Sequence, residues 1–219
     1  MFLEVLHNGI PSGIQNSIIG FANVVVQSNI NSFGDIAMAG CGTYAKLEGF
    51  AFLPITCFTM ALTTFVSQNL GARRPDRVRR GARFGILCCV IAAEIIGVLL
   101  WFTGEALMHL FTDNQAAIAV GMRQIHVEVL FYCALSFSHS IAAILRGAGW
   151  PTAPMFVMLG CWCVFRVLYI STVVPMLQDI RVVFSAYPIT WTMSSIVFTI
   201  LYFKTDWIHT YEKRKLAKG

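Results

Sequence analysis

The sequence predicts an all-α, integral membrane bundle of six transmembrane helices. Three observations carry that prediction. Of the 219 residues, 57% are hydrophobic and only 12% are charged, where a soluble domain carries about 25% charged residues. The mean hydropathy is +0.67. The apolar residues also gather into six stretches, each long enough to cross about 30 Å of hydrocarbon as a helix. This composition excludes a soluble enzyme, a disordered tail and a nucleic-acid-binding module, because a soluble fold of this length cannot hide so much apolar surface. Helices follow because lipid offers the backbone no hydrogen-bond partners. The alternating short segments of a β-barrel are missing.

The first span covers about residues 10–30 and carries Asn16, Asn23 and Gln27. At about 100° per residue these amides fall within roughly 20° of Asn16 on either side, so they form one polar stripe. The stripe either lines a solvated cavity or hydrogen-bonds to another helix. Pro11 and Gly13 suggest broken geometry at its head. Residues 31–46, with Gly34, Gly40 and Gly42, read as a loop. The second span, about 47–66, opens with Lys46 and Glu48, and Thr59 shares the Glu48 face. Glu48 is either a functional carboxylate or an interfacial charge held by Lys46 or Arg166. The next loop is the basic run Arg73, Arg74, Pro75, Asp76, Arg77, Val78, Arg79, Arg80, with Arg83 beyond.

The third span, about 84–102, holds Glu94 near its middle with no other polar residue on that face. Glu94 is either neutral in lipid or paired with a base on another helix. The fourth span, about 120–145, places Glu128, Tyr132 and His139 at i, i+4 and i+11, within roughly 40° of one another. Ser136 flanks them. A carboxylate, a phenol and an imidazole on one face form either a proton or sodium station or a polar seam against another helix. The fifth span, about 155–174, carries Arg166 near mid-depth. Arginine keeps its proton, so it needs an anionic partner or deep water. Glu48, Glu94 and Glu128 are the candidates, and a structural ion pair is the expected role. The sixth span, about 182–203, meets Tyr187-Pro188 early, which predicts a kink or a late helix start. Thr190, Thr192, Ser194 and Ser195 follow, and residues 204–219 form a basic tail.

With six crossings, the second and fourth loops share one side with both termini. Twelve of the 16 Lys and Arg residues lie there, so the positive-inside rule places both termini in the cytoplasm. The arginine run is therefore read as a positive-inside loop and not as a nucleic-acid patch. Residues 1–9 contain Glu4 and no Lys or Arg, so no cleavable signal peptide is expected. The seven cysteines are odd in number and mostly sit in apolar runs, so neither a disulfide framework nor a metal site is expected. Gly9-x-x-x-Gly13 and Gly81-x-x-x-Gly85 match the helix-packing pattern only at span ends. No phosphate-cradling loop, zinc-protease helix or serine nucleophile elbow is present, so no enzyme is predicted.

Four motifs then gain meaning together: Gly9-Ile-Pro-Ser-Gly-Ile-Gln15, Gln27-Ser-Asn-Ile-Asn-Ser-Phe-Gly34, Ser67-Gln-Asn-Leu-Gly-Ala72 followed by spaced arginines, and Leu145-Arg-Gly-Ala-Gly149 with Pro151 and Pro154. Their order and spacing resemble the multidrug and toxic compound extrusion (MATE) family of cation-coupled antiporters, over about residues 3–203. The resemblance implies one six-helix lobe of a two-lobe transporter, most similar to the C-terminal lobe. It implies export of amphipathic or cationic small molecules in exchange for Na+ or H+, with no covalently bound cofactor. It further implies a partner, either a missing second lobe or a parallel homodimer mate, so the chain is expected to be a fragment, a truncated reading frame or a half-transporter. The expected location is a bacterial cytoplasmic membrane. A lipid-linked precursor flippase of related architecture and a non-transporting membrane subunit are the alternatives. The resemblance further implies a cation site that, in many members, uses acidic residues on the first and fourth helices of this lobe. Here the fourth helix supplies Glu128, the first supplies only Asn16, Asn23 and Gln27, and Glu48 on the second stands in for the missing acid.

Overall fold

The computed structural model describes residues 2–208, with side chains from residue 9 onward except that of Ser12. The tail expected at 204–219 therefore lies outside the described residues from 209 on. The described chain forms six helical rods. They are α1 (Phe2–Asn31), α2 (Asp35–Gly71), α3 (Pro75–Met108), a fourth rod made of α4 (Gln115–Glu128) and α5 (Tyr132–Gly147), a fifth made of α6 (Thr152–Met158) and α7 (Arg166–Leu177), and α8 (Ile180–Lys204). A 3-10 turn at Val129–Phe131 joins α4 to α5, and a π-helical stretch at Leu159–Phe165 joins α6 to α7. Five rods are long and apolar enough to cross a membrane: 35–71, 75–108, 115–147, 152–177 and 180–204. The first rod, of 30 residues, carries the amide stripe.

The helices run past the apolar stretches, and several connections shrink. Residues 35–46 are helix, not loop. Gly34 turns the chain at φ 93°, and α2 starts at once with Asp35 in its first turn, where a negative charge suits the helix dipole. The arginine run is likewise mostly helical. Pro75 opens α3 at its first position, so only Ala72–Arg74 connect α2 to α3. Pro11 sits inside the continuous α1, so the break expected at its head is absent. The late start expected at Pro188 is also corrected. α8 begins at Ile180, with the Asp179 side chain accepting from the Arg181 N–H at 2.8 Å.

Large apolar side chains cover the outside, as lipid-facing surfaces require. Phe84, Phe102 and Ile95 on α3, Phe21 on α1, Leu168 on α7 and Phe203 on α8 are all exposed. The interior runs between α2, the fourth rod and α8. Small residues let backbones meet there, the usual way helices associate in lipid. A Cβ on Gly40 would collide with the Ala117 carbonyl, and one on Gly121 would lie 3.0 Å from the Gly40 oxygen. At the other end, a Cβ on Gly147 would lie 2.6 Å from the Thr63 oxygen. So α2 runs alongside the whole fourth rod. Gly81 and Gly85, only a faint signal in the sequence, also abut α2, where Phe65 and Leu62 fill the space beside them. Serines stitch α5 to α8: Ser138 Oγ lies 3.0 Å from Ser194 Oγ and 2.7 Å from Ser195 Oγ.

Candidate functional site

The close approach of Gly40 to α4 sets the site. One turn beyond Gly40, Tyr44 points at the fourth rod. Its hydroxyl donates to Glu128 Oε2 at 3.1 Å and lies 3.0 Å from the Tyr132 hydroxyl. A phenol has one proton, so Tyr132 must donate to Tyr44 when Tyr44 donates to Glu128. The other carboxylate oxygen, Oε1, accepts from Gln124 Nε2 at 2.8 Å. Glu128 is fully buried, and each of its oxygens has a donor. Glu48 lies one turn beyond Tyr44 on α2, within electrostatic range of Arg166. The carboxylates of Glu48 and Glu128 are close enough to act on each other electrostatically.

Arg166, on α7, lies within electrostatic range of both acids. It is only 2% exposed. It donates to Thr190 Oγ1 at 2.9 Å, and its Cζ lies 4.5 Å from the Tyr187 ring centroid and 5.3 Å from that of Trp162. Its Nε has no hydrogen-bond partner among the described residues. The π-helical stretch ends at the residue before Arg166, and such bulges often mark functional positions. Two carboxylates stand near one guanidinium, so ionisation of both acids would leave one negative charge uncompensated beside a cavity that Glu48 lines. A cation is what such a cluster can take up.

A cavity of about 260 Å³ opens beside the cluster. Glu48 and Arg166 give it charge, Phe52, Trp162, Tyr187 and Trp191 give it aromatic walls, and Asn23 and Gln27 of α1 give it amides. The structure thus gathers Glu48, Glu128, Tyr132, Arg166, Asn23 and Gln27, but departs from the sequence reading at three residues. Asn16 is exposed and does not line the cavity, whereas its neighbour Gln15 is buried and donates to Met158 Sδ. His139 does not join Glu128 and Tyr132. It lies edge-on to Trp162 and Phe52, and its Nε2 finds no partner among the described residues. Glu94 is not a neighbour of Arg166 and instead accepts from the Cys133 N–H at 3.0 Å. Lys46 leaves Glu48 to Arg166 and lies over the Phe111 ring.

Sequence reasoning missed Tyr44, Gln124 and the aromatic walls. A signal existed for the first two, since both stand four residues before an acid on the same helix, at Glu48 and Glu128.

A profile of the MatE family matches residues 11–171. The chain belongs to the MatE family. This is a family of membrane transporters, not of enzymes. Two relatives come from Bacillus subtilis (strain 168). Probable multidrug resistance protein YoeA is 23% identical over 155 residues, covering 69% of this chain and 34% of the relative. Probable multidrug resistance protein YpnP is 29% identical over 145 residues, covering 66% and 33%. The bent form of the Vibrio cholerae MATE transporter VcmN superposes with a TM-score of 0.84 at 14% identity, covering 94% of this chain and 47% of that one. The chain thus spans about half of a MATE transporter fold and about a third of the two relatives in aligned length.

Proposed function

We propose that this chain is one lobe of a secondary active antiporter that exports amphipathic or cationic small molecules in exchange for Na+ or H+ by alternating access. One observation carries the reading: a fully buried Glu128, held by Tyr44 and Gln124, lies within electrostatic range of Glu48 and Arg166 beside an aromatic-walled cavity. The surplus negative charge can be neutralised by the coupling ion or by a cationic substrate, and not by both at once. That competition is what exchange requires. The aromatic rings suit the apolar body of an organic cation. The two Bacillus relatives are probable multidrug resistance proteins, which supports the same substrate class. The other half of the transport path comes from a second lobe or a parallel second copy, with both termini of this chain in the cytoplasm and Glu128 as the coupling carboxylate.

Reconstitution in vesicles with an inward Na+ or proton gradient tests the reading. Gradient-driven ethidium efflux should be lost in Glu128→Gln while membrane insertion stays normal. Efflux that survives the substitution removes Glu128 from the mechanism.

A further inference from the structure

The break between α4 and α5 has no cause in its own sequence. The segment Glu128-Val-Leu-Phe-Tyr132 contains neither Pro nor Gly, yet residues 129–131 wind as a 3-10 turn. Within a membrane such a break is costly, because the first amides of the next helix lose their intrahelical partners and lipid supplies none. Glu94 on α3 supplies the acceptor. Its Oε2 receives the N–H of Cys133, the second residue of α5, at 3.0 Å. A carboxylate at that end also suits the dipole of α5. Three residues along α3, Gly97 supplies room. A Cβ there would lie 2.7 Å from the Val129 carbonyl oxygen, the same oxygen that accepts the Tyr132 N–H within the turn. One helix thus presents an acceptor and a notch, at i and i+3, to a single irregular turn.

That turn stands between two members of the site. Glu128 is the last residue of α4 and Tyr132 the first of α5, and both meet the Tyr44 hydroxyl. The tighter winding of a 3-10 turn, about 120° per residue, rotates α5 relative to α4. We propose that Glu94, together with Gly97, is a positioning residue that holds this break and so sets Glu128 and Tyr132 around Tyr44. Its value for transport rests on the coupling role of Glu128. The hold on the break does not.

The test uses the purified chain in detergent with two readouts. Amide hydrogen exchange over residues 129–136 reports the break. Na+- or proton-induced change in tryptophan fluorescence reports the site, because the Trp191 ring lies 6.0 Å from that of Tyr132. A Trp191→Phe background identifies that tryptophan's share. Glu94→Leu, which removes the acceptor, should speed exchange at Cys133 roughly tenfold and move the ion midpoint by at least roughly threefold. Glu94→Gln keeps an acceptor oxygen and should stay within about twofold of wild type on both. Gly97→Ala leaves Glu94 in place but crowds the Val129 carbonyl. It should disturb the same peptides, which keeps the proposal testable if Glu94→Leu fails to fold. Exchange and midpoint unchanged in Glu94→Leu overturn the proposal. So does a Glu94→Gln chain that behaves like Glu94→Leu, since the charge and not the acceptor would then be at work. A wild-type chain with no ion response overturns the coupling role of Glu128, and the exchange readout then decides the proposal alone.

Discussion

Replacing Arg166 by Met removes a guanidinium that lies within electrostatic range of both Glu48 and Glu128. Arg166 is 2% exposed and Glu128 is fully buried, so Glu128 gains no water in compensation, whereas half-buried Glu48 lines the cavity. Removing one partner of a directly bonded buried charge pair costs about 3–5 kcal/mol, an upper bound here because Arg166 hydrogen-bonds to Thr190 and reaches the acids only through space. For a chain of this length that corresponds to a fall of roughly 6–20 °C in Tm. The substitution also frees Thr190 Oγ1 and empties the stack on Tyr187 and Trp162, so the single variant alone does not isolate the electrostatic part. A double-mutant cycle does. Adding Glu48→Gln or Glu128→Gln to Arg166→Met should recover stability, with a coupling of about 1–3 kcal/mol in each cycle. Adding Glu94→Gln should be additive within about 0.5 kcal/mol, because Glu94 bonds to Cys133 and shares no partner with Arg166. The assay is equilibrium unfolding in mixed micelles titrated with dodecyl sulfate. Additivity with both Glu48 and Glu128, or an equal coupling with Glu94, would refute the assignment of Arg166 to those two acids.

Other substitutions probe the supports of the site. Tyr44→Phe removes the hydroxyl that joins Glu128 to Tyr132 and should cost about 1–3 kcal/mol in the same unfolding assay; an unchanged midpoint would contradict the hydrogen-bonded chain. Gly40→Leu drives a side chain into the Ala117 carbonyl and should destabilise by at least about 1–3 kcal/mol, measured as the loss of monodisperse protein on heating. Gly42→Ala meets nothing within 4 Å and is its matched control. Ser194→Ala leaves the Trp162 Nε1–H without its acceptor and should cost about 1–3 kcal/mol, read as a lower Tm. Lys46→Gln, which loses only an exposed contact with the Phe111 ring, should change stability by no more than about 1 kcal/mol.

The six rods were legible because each contains an apolar stretch that lipid demands. Their ends were not, since the turns beyond the hydrocarbon need no apolar residues. Residues 35–46 therefore read as loop, and Tyr44, which meets both Glu128 and Tyr132, was passed over with them. Glu48, Glu128 and Arg166 stood out because charge at membrane depth is expensive wherever it falls. Which acid faces Arg166 depended on the crossing of α2, the fourth rod and α7, and no local pattern encodes a crossing. His139 was misplaced for a definite reason. It stands seven residues beyond Tyr132 on α5, about 10 Å further along the axis, and so meets Phe52 and Trp162 instead of Glu128. The break itself was invisible because its cause lies on α3, at Glu94 and Gly97.

The most direct test of the account is proton and sodium release on ligand binding, measured with the purified chain in weakly buffered detergent as ethidium is added. Exchange through a shared buried carboxylate predicts that ethidium displaces a proton or a sodium ion from the wild-type chain, and that Glu128→Gln binds ethidium without that release. Equal release from the Glu128→Gln chain would contradict the account, because the displaced ion would then be held elsewhere.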